Sequence, residues 1–166
     1  MTKIEFKTWV EYIDKIYLTW NKGEEIKRCL LGLSEESGEF VGVFKKILRG
    51  DMQKKNITEE EMNIRKKHEL GDLLYYLRLY IDLKRITVIT VLKDDLSKEN
   101  EIDVLLGLNS EATKVKSVFF QDNFLAYILG VIDYFNFDFK EIIEMNVEKL
   151  AKRQKKGTIN GSGDNR

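Results

Sequence analysis

Glu36 and Glu39 sit one helical turn apart inside LLGLSEESGEFVGVFKKIL, Leu30 to Leu48, and Glu69 and Asp72 repeat that spacing in Glu69-Leu70-Gly71-Asp72. Successive helical residues are ~100° apart, so Cys29, Leu33, Glu39, Phe40, Val43 and Ile47 fall within about 60° of Glu36. Lys27, Arg28, Lys45, Lys46 and Arg49 fall on the other side, with Glu35 at the edge of the stripe. Glu69 and Asp72 likewise share a face with Met62, Leu73, Tyr76, Tyr80 and Leu83. Either acidic pair alone is common on an exposed helix; two pairs set on apolar stripes are not. An ionised carboxylate taken out of water without a partner costs several kcal/mol. Four of them would outweigh the roughly 5–15 kcal/mol that holds a domain together. They must be protonated, paired with bases or gathered around a cation. The same faces offer few bases, Arg65 and Lys66, which favours the cation. An all-oxygen donor set without His or Cys suits a hard ion, Mg²⁺ or Mn²⁺ rather than Zn²⁺.

These carboxylates need helices to hold them. Phe6, Val10, Ile13, Tyr17 and Trp20 recur every three or four residues and predict a helix ending near Asn21-Lys22-Gly23. A second helix runs from Glu24 to Leu48, stopped by Gly50, and residues 51–56 read as a polar connector. Thr58 with Glu61 fits a capping box and opens a third helix to about Lys84. Thr87 as N-cap, with Val88, Val91, Leu92 and Leu96, predicts a short helix, and further helices are expected at about 102–118, 122–135 and 138–155. The glycine-rich tail 157–166 should be irregular. Nothing alternates with period two over a strand's length, so the expected class is all-α.

The chain also partly repeats. Leu30-Leu31-Gly32-Leu33 with Glu36 recurs as Leu105-Leu106-Gly107-Leu108 with Glu111, and Ile81-Asp82 recurs as Ile132-Asp133. Such a pattern arises from duplication or from two helical hairpins obeying one packing rule. In this register Ser110, Glu111 and Lys114 match Glu35, Glu36 and Glu39, while Phe120 and Asn123 match Glu69 and Asp72. The second half therefore cannot build the same cage.

Composition narrows the partners. The 166 residues carry zero formal net charge and 43% apolar residues. That suffices for one core and supplies no global field to recruit nucleic acid or membrane. The lone Cys29 excludes a disulfide framework and suits a core thiol in a reducing cytoplasm. No apolar run approaches the ~20 residues of a bilayer span. One histidine, His68, without a nucleophile elbow gives little support to a Ser/His/Asp triad. Lys149, Lys152, Arg153, Lys155 and Lys156 form a basic run, which most often is a solvated helix face, although Lys149 and Arg153 share a face with Asn146, Ile142 and Leu150.

Glu35-Glu36-x-x-Glu39 followed by Glu69-Leu70-Gly71-Asp72 resembles the signature of the MazG-like nucleotide pyrophosphohydrolases of the all-α NTP pyrophosphatase superfamily. The likeness extends to Asn146-x-x-Lys149-Leu150-x-x-Arg153, to Thr19-Trp20-Asn21-Lys22 and to the tail, which is similar to that of short, phage-type members. The resemblance implies an antiparallel helical bundle over 1–156, with a metal-binding unit at 30–98 and a degenerate second unit at 105–153. It implies a cytoplasmic enzyme that cleaves a (deoxy)nucleoside triphosphate to monophosphate and pyrophosphate. Glu36, Glu39, Glu69 and Asp72 would hold Mg²⁺, with Mn²⁺ as substitute, and Glu35 would be a further ligand or take the water's proton. Asn146, Lys149 and Arg153 would contact the substrate, and Trp20 could stack on its base. The duplicated chain could then do alone what a homo-oligomer does elsewhere. A catalytically silent nucleotide-binding or regulatory module, or a plain structural bundle, are the competing readings.

Overall fold

The computed structural model describes residues 3–16 (backbone only for 3–6 and 16), 24–86, 93–116 and 121–156. Seven helices form there: α1 (Lys3–Ile16), α2 (Glu25–Leu48), α3 (Asp51–Lys55), α4 (Glu59–Leu83), α5 (Glu101–Lys114), α6 (Gln121–Tyr134) and α7 (Phe139–Lys155). The described residues contain no strand, so the fold is all-α as expected. None of these helices is long and apolar enough to cross a membrane.

Local chemistry sets the helix starts. The Glu61 amide donates to Thr58 Oγ1 (3.1 Å), and the Thr58 amide donates to Glu61 Oε2 (2.8 Å), the reciprocal capping box anticipated for α4. Asn100 and Asp138 accept from the third residue of α5 and α7 in the same manner, at 3.0 and 2.7 Å. Along α2 the anticipated face is buried, from Cys29 through Leu33, Glu36 and Phe40 to Val43, while Lys27, Arg28, Lys45, Lys46 and Arg49 are exposed.

Contacts give the topology. Gly32 meets Tyr76 and Phe44 meets Lys66, so α2 and α4 run antiparallel as a hairpin. Gly107 meets Tyr127, and Tyr134 Oη donates to the Glu99 carbonyl, so α5 and α6 form a second antiparallel hairpin. Ser37 Oγ donates to Asn109 Oδ1 (2.9 Å) between α2 and α5. The last helix, α7, lies parallel to α4: Lys67 pairs with Glu141 and, five residues on along each helix, Asp72 with Asn146. α1 packs against α4 and α7.

The sequence repeat has a counterpart in space. Gly32 lies under the ring of Tyr76, five residues before Ile81, and Gly107 lies under Tyr127, five residues before Ile132. Each hairpin's second helix ends in the same turn. Arg85 and Asn136 adopt a positive φ of 54°, and the next amide donates to Ile81 in one turn and Ile132 in the other, both at 2.9 Å. The chemistry differs. Glu111 pairs with Lys114 at 2.5 Å, and Asn123 is exposed.

Three expectations are corrected. The buried stripe of α1 is Trp9 and Tyr12, with Ile13 half-buried and Val10 46% exposed. Trp9 and Tyr12 also keep helical spacing with Ile13, and α4 and α7 select their side of the helix. The connector after α2 holds a short helix, α3, bracketed by Gly50 and Asn56 at φ 72° and 52°. Residues 93–96 are not helical although Leu96 was expected in a helix. The Asp94 amide instead donates to the Ala126 carbonyl (3.1 Å), and Leu96 packs over Gly130, where a side chain would collide with the Asp94 carbonyl. The expected helix end at 21–23, the Thr87 cap, Val88, Val91, Leu92, Phe120 and the tail lie outside the described residues.

The close approach at Gly32 yields a test. A Cβ there would stand 2.6 Å from Tyr76 ring carbons. Helix propensity favours alanine by ~1 kcal/mol, while overpacking typically costs about 1–3 kcal/mol. Gly32→Ala is expected to destabilise the fold by roughly 1–2 kcal/mol, read from urea denaturation midpoints.

Candidate metal centre

α2 and α4 pack with their acidic residues face to face. One carboxylate oxygen each from Glu36, Glu69 and Asp72 lie within 4.8 Å of one another, and Glu36 and Asp72 are buried at 5% and 6% exposure. Glu69 is half-buried. The i, i+3 spacing on α4 sets Glu69 and Asp72 on the side facing Glu36. Glu39, one turn along α2 and half-buried, stands outside this trio but close enough to act on Glu36 electrostatically. Glu35 is exposed at the rim.

The third side is α7. Lys149 Nζ donates to Asp72 Oδ2 in an ion pair whose two side chains are 18% and 8% exposed. Asn146 Nδ2 donates to Asp72 Oδ1 at 2.7 Å. Gly71 permits this, because a Cβ there would sit 3.0 Å from that of Asn146. Asn146 is 1% exposed, and its Oδ1 accepts from the Tyr12 hydroxyl at 2.5 Å. Both ends of the amide are therefore occupied behind Asp72. Arg153 is half-buried one turn beyond Lys149. His68, expected at the surface or in a supporting position, is half-buried, and its buried Nδ1 has no hydrogen-bond partner among the described residues. Burial, followed by Lys149, lowers its pKa. Trp20 lies outside the described residues.

Electrostatics mark Glu36 as the strained member. Burial, then the carboxylates of Asp72, Glu69 and Glu39, push its pKa up to about 9, against an opposing pull from Lys149. Its Oε2 is buried with no hydrogen-bond partner among the described residues. Tyr76, four residues after Asp72 on the same face, keeps its phenol protonated, at a pKa raised to about 12 by burial and then by Glu36 and Asp72. An unsatisfied buried carboxylate oxygen beside two more carboxylates is a donor set that could hold a metal ion. The residues fit such an ion. Sequence reasoning gave no role to Tyr12, Tyr76 or Gly71. Their parts depend on which helices meet, which helical periodicity does not encode.

Comparison with protein-family models, curated proteins and solved structures gave no match.

The raised Glu36 pKa has a definite sign. Between pH 4.5, the ordinary value, and about 9, the unfolded chain releases a proton that the folded, metal-free chain retains. Stability therefore falls as pH rises through that window. In EDTA, Glu36→Gln is expected to be about 1–3 kcal/mol more stable than wild type near pH 8 and equal to it near pH 4, by denaturant unfolding across pH. Saturating Mg²⁺ should stabilise wild type and leave Glu36→Gln nearly unmoved.

Proposed function

We propose that the chain is a Mg²⁺-dependent nucleoside triphosphate pyrophosphohydrolase, with Mn²⁺ able to replace Mg²⁺. The observation that carries the reading is the convergence of Glu36, Glu69 and Asp72 from two helices, with the Lys149 ammonium supplied by a third. A divalent ion held by these carboxylates would offset phosphate charge and acidify a water molecule. The remaining work belongs to the chain. Water attacks the α-phosphorus, the bond from that phosphorus to the bridging oxygen breaks, and pyrophosphate leaves with that oxygen. The proton released by water passes to a carboxylate outside the trio, Glu39 on the half-buried side or Glu35 at the rim. Lys149, once displaced from Asp72, can turn to the phosphate oxygens, and Arg153 can grip them with its fork. Tyr76, half-buried and close enough to Glu36 and Asp72 for both to raise its pKa, sets a largely apolar ring beside them, where lower polarity would strengthen these interactions.

A panel of nucleoside triphosphates incubated with Mg²⁺ tests the reaction. Pyrophosphate and monophosphate are the expected products, abolished by Asp72→Asn. Orthophosphate as first product would mean that another bond is cleaved, and nucleotide binding without turnover would leave a silent binding module. Lys149→Met should bind Mn²⁺ more tightly, because the competing ammonium is gone. It should also lose turnover on the order of 100-fold, as removal of one transition-state donor typically does. Unchanged turnover would remove Lys149 from the chemistry.

A further inference from the structure

Asp72 is held from behind by two buried side chains, Tyr12 and Asn146, the second of which the family resemblance placed at the substrate. Tyr12 is fully buried on α1 and Asn146 is 1% exposed on α7, yet the two join in series to Asp72 on α4. An amide can be turned by 180° without changing its shape, so its orientation has to be set by its partners. Here the phenol donates to Oδ1, which directs the two N–H donors of Nδ2 toward the carboxylate. The reverse orientation would aim the amide oxygen at an anion. With Asp72 Oδ1 tied back by Asn146, Oδ2 is the oxygen left for a cation, and here it takes the Lys149 ammonium.

We propose that Tyr12 is a positioning residue of the carboxylate centre, acting through Asn146 to fix which oxygen of Asp72 is presented. The effect on metal affinity rests on the divalent-cation reading above; the orientation of Asp72 does not. Partners that orient a metal ligand are typically worth 10–100-fold in affinity when removed. The relay joins α1 to the chemistry of the centre.

The test uses the full chain without nucleotide. Mn²⁺ affinity is measured for wild type, Tyr12→Phe, Asn146→Leu and the double variant, with Trp9→Phe as a control for loosened packing of α1. Tyr12→Phe is expected to weaken Mn²⁺ binding about tenfold. In the Asn146→Leu background it should cost nothing more, because Tyr12 acts only through that amide. Trp9→Phe should lower thermal stability with Mn²⁺ affinity retained. Equal affinity in wild type and Tyr12→Phe, or additive losses in the double variant, would overturn the proposal. A second measurement needs neither metal nor a variant that survives Asn146 removal. The Asn146 side-chain amide protons should exchange slowly with solvent in the wild-type NMR spectrum and lose that protection in Tyr12→Phe. Fast exchange in wild type, or full protection in Tyr12→Phe, overturns the relay. If wild type binds neither Mn²⁺ nor Mg²⁺, the cation reading fails, and the amide protons still decide the fate of the relay.

Discussion

Three carboxylates gathered at one point, two of them buried and the third half-buried, repel one another and lose much of the water that would have solvated them. The architecture around them answers that single difficulty. Lys149 supplies one positive charge, Asn146 supplies one donor, and Glu36 keeps a proton. These measures are incomplete, because one Glu36 oxygen remains without a donor among the described residues. A structural core would have replaced the trio with leucines at a gain in stability, as buried ion clusters often permit. Retaining an arrangement so poorly satisfied makes sense where something outside the protein completes it.

The two hairpins make the same point by contrast. Both have a glycine under a tyrosine ring, and both close with a left-handed residue at the same distance from an Ile-Asp pair. In the second hairpin the position of Glu39 is Lys114, and it forms an ion pair with Glu111 at the position of Glu36. Nearby opposite charges in one turn remove the need for an external cation. Thus one backbone device appears twice, once with an unresolved charge and once with it neutralised. The difference lies in the chemistry presented, since the packing of glycine against tyrosine is common to both.

The centre was partly legible in the sequence because α2 and α4 carry strong, unambiguous stripes. Glu36 and Asp72 stood out as acidic residues where leucine belonged, and the structure buries both. α1 was misread because two overlapping series share its spacing: Val10 belongs to one, Trp9 and Tyr12 to the other, and only packing chooses. α3 has almost no apolar residues, so its helix depends on the bracketing turns at Gly50 and Asn56, which periodicity ignores. The path of 93–96 is decided by a gap at Gly130 on a helix more than thirty residues away. The pairing of Asp72 with Asn146 and Lys149 is likewise non-local. The family resemblance suggested phosphate contacts at those positions; their burial against Asp72 is a property of the parallel packing of α7 on α4.

That parallel packing bears on how the molecule comes into being. The α2–α4 hairpin is complete in the growing chain well before α7 is made, and Lys149, the partner of Asp72, comes only with α7. A nascent hairpin would therefore hold its acids hydrated and loosely joined, and tighten only when the last helix closes over them. Domains acquire such distant contacts late, since a long loop must first be closed. The pairing of Asp72 with Lys149 and Asn146 and the docking of α7 that brings them are in this sense one event.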